Sequence, residues 1–205
     1  MNGLKETHRC DLHVIVCPYC NPAWGDELMA DLREQPVNLH LPPCVAGNVG
    51  ASRAHGFAMG ESEYVSFADP DDRILPGAVA ACIEALDADD SLGAVFTGEQ
   101  VVNEDLKPIR GPDVAPYSHE LHLASPRHVH GLIVMRRRLV EPLLEDLALL
   151  HAIPEWYLTL AIAKTAGLQR VPMLGRLWRW HPTQATRQLR KQATLERKAI
   201  ARLFE

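Results

Sequence analysis

The segment NVGASRAHGFAMGESEYVSFADPDD, Asn48 to Asp72, constrains the fold of this chain more than any other. Its first half is built of small residues at helical spacing. Tyr64-Val65-Ser66-Phe67-Ala68 then reads as a buried strand, and Asp69-Pro70-Asp71-Asp72 marks its end. In open α/β sheets, ligands bind just beyond the carboxyl ends of the strands. Asp69 and Asp71, clustered at such an end, make a hard oxygen site suited to Mg²⁺ or Mn²⁺ with a bound phosphate. Asp and Pro are also ordinary turn formers, so the tetrapeptide taken alone reads first as a surface turn. The order of features around it decides otherwise.

Leu12 to Val16 reads as a first strand, and Trp24 to Gln35 as a helix with Leu28, Met29 and Leu32 on one face. Val37 to Leu41 is a short second strand closed by Pro42-Pro43. A helix follows from about Val49 to Met59, with Gly60 as its stop. Beyond the carboxylate turn, Pro76 opens a helix through Val79, Ile83 and Leu86. Ala94–Thr97 and Val101–Val102 suggest a hairpin-like pair around Gly98. Lys107 to Arg127 reads as a loop or flap, and Leu132–Met135 as a strand. Helices follow at about 139–150 and 155–166, then a mixed stretch from Val171 to Trp180 and a helical tail from about residue 183. Strands alternating with helices in the first half imply a doubly wound, mostly parallel sheet. With no internal repeat and no low-complexity linker, residues 1–205 read as one domain.

The 205 residues are 47% hydrophobic and 23% charged, an ordinary soluble composition. No apolar run approaches the ~18 residues that span a bilayer. The polar start MNGLKETHRCDLH lacks the apolar core of a signal peptide, so cytoplasmic residence is expected. Five cysteines, an odd number, do not suggest a disulfide framework, and Cys44 and Cys82 read as small buried residues. Charge is unevenly spread. Eight Lys and Arg against Glu196 and Glu205 give residues 176–205 a balance of +6, which leaves −11 on the rest of a chain whose net charge is −5. Such a tail is a solvated helix face or a meeting point for phosphate-rich ligands.

The order Asn48, Gly50, Arg53, Gly56, Gly60, then YVSFADPDDRILPGAV, resembles the GT-A glycosyltransferases of the family 2 type. Two weaker likenesses follow: His130 to Arg137 is similar to the family's acceptor-side strand, and Pro154-Glu155-Trp156-Tyr157-Leu158 to its helix start carrying the general base. The resemblance implies a GT-A, Rossmann-like α/β sandwich and transfer of a sugar, with inversion, from a nucleotide-sugar donor. It carries Glu155 over as the base, Asp69 as the ribose contact, and Asp71 as the ligand of Mn²⁺ or Mg²⁺. Trp178-Arg179-Trp180-His181 resembles the late aromatic-Arg-x-His segment, which makes His181 a metal or phosphate contact and Arg179 a partner of the diphosphate. Asn48 and Arg53 join the donor side, although Arg53 is also suited to pairing with the motif's carboxylates.

One departure matters. The family's longer second strand, with its Asp-Asp-x-Ser loop for the base, is replaced by VNLHLPPCVAG, and Tyr19, Asn21 or His40 are left as substitutes. That departure motivates an alternative, a catalytically degenerate GT-A binding module. Cys17-Pro18-Tyr19-Cys20 resembles a glutaredoxin active site and offers a third reading as a thiol oxidoreductase, although Asn21-Pro22-Ala23 delays the helix that motif needs. Cys10, His13, Cys17 and Cys20 have poor spacing for zinc. The acceptor is not readable: a glycan, a lipid-linked sugar, a protein and a modified nucleic acid base remain open.

Overall fold

The computed structural model describes residues 8–18 and 20–204. A seven-stranded sheet runs in the order β2-β1-β3-β6-β5-β7-β4. Its members are β1 (Cys10–Val14), β2 (Val37–His40), β3 (Tyr64–Ala68), β4 (Arg73–Ile74), β5 (Leu92–Val102), β6 (Ile133–Arg136) and β7 (Gly167–Arg179). β1 is parallel to β2 and β3, and β5 is parallel to β7. β6 runs antiparallel between β3 and β5, and β4 runs antiparallel on the β7 edge, so five of seven strands share one direction.

The chain leaves β1 through α1 (Pro22–Arg33) to β2 on one side, then returns through α2 (Val49–Phe57) to β3 on the other. Order therefore reverses at β1, and a crevice opens between the carboxyl ends of β1 and β3. Alternation along the strands sends Cys10, Leu12 and Val14 to one face, where α1 and α3 (Ala78–Ala88) cover them. Val65 and Phe67 face the other side, against α2, α6 (Leu144–Ala148) and α7 (Pro154–Ala163). This is the three-layer α/β sandwich the sequence implied.

The glycines of the first segment serve close packing. A Cβ on Gly50 would lie 2.1 Å from the Leu147 carbonyl oxygen, and the Gly50 amide already donates to Leu150 O at 2.8 Å. Gly60 has φ +72° and lies against the Asp11 carboxylate. Gly56 abuts the ring of His13, which is buried and pushed well below its usual pKa by that burial, with Arg53 and His40 adding to the effect.

Several boundaries differ from expectation. Gly98 is not a hairpin turn. β5 continues through it with a register shift, because its backbone is approached by Asp113 O and Met173 O, both within 3.1 Å of a Cβ position. The mixed stretch 171–180 belongs to β7, paired along most of β5. The 107–127 flap is stitched down by a Glu99–Asp113 bridge and contains α4 (His119–Ala124). The helix expected over 139–150 is broken: α5 (Arg137–Val140) gives way to a 3₁₀ turn holding Pro142, and then to α6. The tail forms α8 (Ala185–Gln188) and α9 (Arg190–Phe204).

The cysteines also correct the sequence reading. Cys17 is bonded to Cys44, with Cα atoms 5.5 Å apart, and Cys20 remains a thiol. The Cys17–Cys20 pair is thus not the one formed, and α1 starts only at Pro22, so neither sulfur occupies a helix N-terminus as a glutaredoxin site requires.

Candidate functional site

A cavity of about 700 Å³ occupies the crevice and reaches Asp69, Asp71, Glu99, Glu155, Arg176 and His181. These residues come from the β3–β4 turn, β5, the first turn of α7, β7 and the stretch after it. The carboxylate turn is held at both ends. The Asp72 amide donates to Asp69 O at 3.0 Å, and Arg73 and Ile74 pair with Leu177 and Arg176 of β7.

The three carboxylates differ sharply. Asp72 is fully buried; its Oδ1 accepts from the Arg179 amide at 2.9 Å, while Oδ2 has no hydrogen-bond donor among the described residues and lies 3.6 Å from Arg176. Burial above all, with Asp71 and Asp69 close by, raises its pKa well above the usual range despite Arg176. Asp72 therefore serves the turn from within. Asp71 Oδ2 meets His181 Nε2 at 2.7 Å, and His181 Nδ1 meets Thr183 Oγ1 at 2.9 Å, which aims the imidazole at the turn. Asp69 pairs with Arg53; burial pushes its pKa up, but Arg53 and Arg176 outweigh this and hold it below the usual carboxylate value.

Arg53 is the hub. It is 2% exposed, sits 4.1 Å over the Phe67 ring, and reaches Asp69 through Nη2 and Glu155 Oε1 through Nε at 2.8 Å. Its Nη1 has no hydrogen-bond partner among the described residues. Of its two suggested uses, the sequence's second, pairing with the carboxylates, is the one formed in the free protein. Glu155 sits in the first turn of α7, whose entry is fixed from far away: the Glu196 carboxylate of α9 accepts from the amides of His151, Ala152 and Ile153 at 2.5, 3.0 and 3.0 Å.

Two expected donor contacts are occupied elsewhere. Arg179 does not line the cavity. Its guanidinium donates to Asp71 O, Glu104 O and Glu27 Oε2 at 2.9, 2.8 and 2.5 Å and lies 4.8 Å over Trp24, so it braces the turn from behind. Asn48 lines the cavity but caps α2: Oδ1 accepts from the Ala51 amide at 2.8 Å, and Nδ2 donates to Ala148 O at 3.1 Å. Tyr19 lies outside the described residues. Asn21 lines the cavity, and its side chain caps α1. His40 is turned away, bonded to Asp11 at 2.9 Å.

Sequence reasoning missed the second layer of the site. Glu99 pairs with the buried Arg176; burial would raise its pKa, but Arg176 and His130 bring it down to about 2. His130 Nδ1 is 3.2 Å from Glu99, and Nε2 is 3.4 Å from Asp113. Reading Gly98 as a turn hid Glu99; reading β5 as one strand would have aimed it at the carboxylate turn. The short 41–47 segment still forms a wall, because Cys44, Val45 and Gly47 line the cavity opposite β5 and the Cys17–Cys44 bond joins the segments after β1 and β2.

Among the described residues, no group of three or more His, Cys, Asp or Glu side chains converges as a metal cage. Asp71 and His181 supply two donors facing the cavity. Asp71 alone fits Mg²⁺ or Mn²⁺, hard ions of which Mg²⁺ keeps several waters and is commonly held by one or two carboxylates plus substrate phosphates, while His181 Nε2 is bonded to Asp71 Oδ2.

No protein-family model matches the sequence, and no curated protein matches it. Solved structures of S. aureus TarS, a GT-A-type glycosyltransferase, do match. TarS 1–349 in complex with UDP-GlcNAc aligns at TM-score 0.68 and 13% identity, over 96% of this chain and 71% of that one. The complex with UDP gives 0.65 and 15%, over 96% and 70%. TarS 1–349 alone gives 0.61 and 14%, over 82% of this chain and 60% of that one, so the chain spans about three fifths of that structure's length. At these identities the likeness concerns the fold, and the fold is GT-A-like.

Proposed function

We propose that this chain is a glycosyltransferase that takes a nucleotide-sugar donor into the crevice and passes the sugar to an acceptor hydroxyl with inversion. The observation that carries the reading is convergence. Asp69 and Asp71 of the β3–β4 turn, Arg53, Glu155 and His181 come from four separate segments, yet they meet at one cavity at the switch point of the sheet. The fold around them is shared with a protein whose structures hold UDP-GlcNAc and UDP.

In this reading the nucleoside lies toward Asp69, and the diphosphate lies across Asp71 and His181. The unpartnered Arg53 Nη1 offers a hydrogen bond to a donor oxygen. Glu155, held by its hydrogen bond from Arg53, takes the acceptor's hydroxyl proton. The acceptor oxygen bonds to the anomeric carbon from the opposite face. The bond from that carbon to the diphosphate breaks, and its electron pair leaves on the nucleoside diphosphate. A Mn²⁺ or Mg²⁺ ion held by Asp71 would neutralise that leaving group.

Glu155→Gln separates binding from chemistry. UDP-GlcNAc should still bind by calorimetry, while its turnover, followed by release of UDP, should fall by about a hundredfold or more, as expected for a general base. Turnover at the wild-type rate in Glu155→Gln would remove Glu155 from the mechanism. A second reading, a binding module without turnover, is favoured by one observation: Glu155 is already engaged by Arg53. Donor binding by the wild-type protein with no UDP release over many hours would select it.

A further inference from the structure

We infer that the acceptor is an anionic hydroxyl compound, carrying a phosphate or a carboxylate, and that Arg110 and Arg127 are the residues that grip its charge; this deepens the glycosyltransferase reading and rests on it. The argument is one of unmatched charge. Four arginines line the cavity. Arg53 is matched by Asp69 and Glu155, and Arg176 by Glu99, with Asp72 3.6 Å away. Arg110 and Arg127 have no carboxylate within 4.0 Å among the described residues. Their hydrogen bonds among the described residues are made by the backbone: Arg110 O accepts from Gln100 Nε2 at 2.5 Å, and the Arg127 amide donates to Ser125 Oγ at 3.2 Å. Both guanidinium groups are left for a ligand.

Their position assigns them to the acceptor and not to the donor. Arg110 follows β5 and is tied to it through Gln100, and Arg127 precedes β6. The wall suited to a nucleoside, with Trp24, Cys44 and Val45, belongs to the β1–β2 side of the same cavity. β3 and its carboxylate turn lie between the two sides in the sheet order. A second observation points the same way: Ala185, Gln188, Leu189 and Ala193 bring α8 and α9 to the cavity wall, and these two helices carry Arg187, Arg190, Lys191, Arg197, Lys198 and Arg202 against the single acid Glu196. A basic rim on an otherwise acidic protein draws anions to this mouth. Guanidinium forks bind phosphate and carboxylate through paired, charge-assisted bonds, and they offer no such match to a neutral sugar.

The test titrates the protein calorimetrically with glucose 6-phosphate, glucuronate and glucose, each with and without saturating UDP. UDP binding reports on the donor reading, and the three sugars report on this one. One of the two anions should bind at least about tenfold more tightly than glucose, the size expected of one charge-assisted pair, and the stronger one identifies the group. The double variant Arg110→Ala/Arg127→Ala should lose that advantage. Arg110→Lys/Arg127→Lys should keep part of it, because charge remains when the fork is gone. Both residues are at least partly exposed, so the thermal midpoint should not move. Equal binding of glucose and both anions, absence of anion binding, or undiminished anion affinity in the double alanine variant would overturn the inference. Anion binding that depends on the two arginines in a protein that ignores UDP would uphold the anion site and bring down the donor reading instead.

Discussion

Two arginine–carboxylate networks lie on the same face of the sheet and differ in one respect: the first is complete and the second is not. In the first, Asp11 is 4% exposed and accepts from Arg137 Nη2, the Ser62 amide and His40 at 2.6, 2.7 and 2.9 Å. Arg137 spends its other donors on the carbonyls of Ser62, Phe57 and Met59. In the second, around Arg53 and the β3–β4 turn, Arg53 Nη1 and Asp72 Oδ2 are buried without hydrogen-bond partners among the described residues. A buried polar group left unmatched costs about 1–3 kcal/mol. A saturated network is architecture, whereas the second leaves one donor, Arg53 Nη1, open on a residue that lines the cavity.

The largest expected break is in the saturated network. Asp11→Ala leaves Arg137 buried without its bonded counter-charge, with only the exposed Glu141 3.8 Å away, and should cost about 3–5 kcal/mol, read as the urea midpoint. A loss below 1 kcal/mol would mean that the network is not what holds the α2–β3 junction. Next comes the open network. Asp71→Ala should lower UDP-GlcNAc turnover by about 10²–10³-fold, the loss typical for one group stabilising a developing charge, with little change in the urea midpoint. Equal losses of stability and turnover would erase the distinction between the two networks.

A third, smaller effect concerns the wall opposite β5. The Cys17–Cys44 bond closes a loop with a sequence separation of 27, and Cys44→Ser should cost about 2–4 kcal/mol. A mobile non-reduced peptide, with both sulfurs alkylated before digestion, would show that the bond does not form. The smallest effect is at Asp72. Its pKa is raised by folding, so its contribution to stability is full below the unfolded value of about 3.8 and is lost as pH rises toward the folded value. Asp72→Asn should therefore be near neutral at pH 4 and should gain on the wild type as pH rises. Glu99, brought down to about 2, has the opposite sign: its contribution is present above its unfolded value of about 4.5 and is lost as pH falls through 2. A stability difference between Asp72→Asn and wild type that stays flat from pH 4 to 8 would remove the raised pKa.

The local half of this molecule was legible in its sequence. The β3 strand, the carboxylate turn and α2 are specified by neighbours in the chain: alternation, an Asn cap and glycines where backbones touch. The rest depends on partners distant in sequence. The continuity of β5 through Gly98 is set by β7, some seventy residues on, and by the Asp113 strip. Arg179 reads as a ligand because it sits beside His181, and only the fold reveals that Glu27 and the carbonyl of Glu104 claim its guanidinium. The Cys17–Cys44 bond is likewise invisible, because strand order and not spacing brings those loops together.

The Glu196 contact carries a consequence for synthesis. The amides of residues 151–153 fix the approach to Glu155, and the carboxylate that holds them belongs to α9. A ribosome that has translated the sheet and α7 has still not delivered this latch, so the approach to Glu155 is set only when one of the last segments of the described chain emerges.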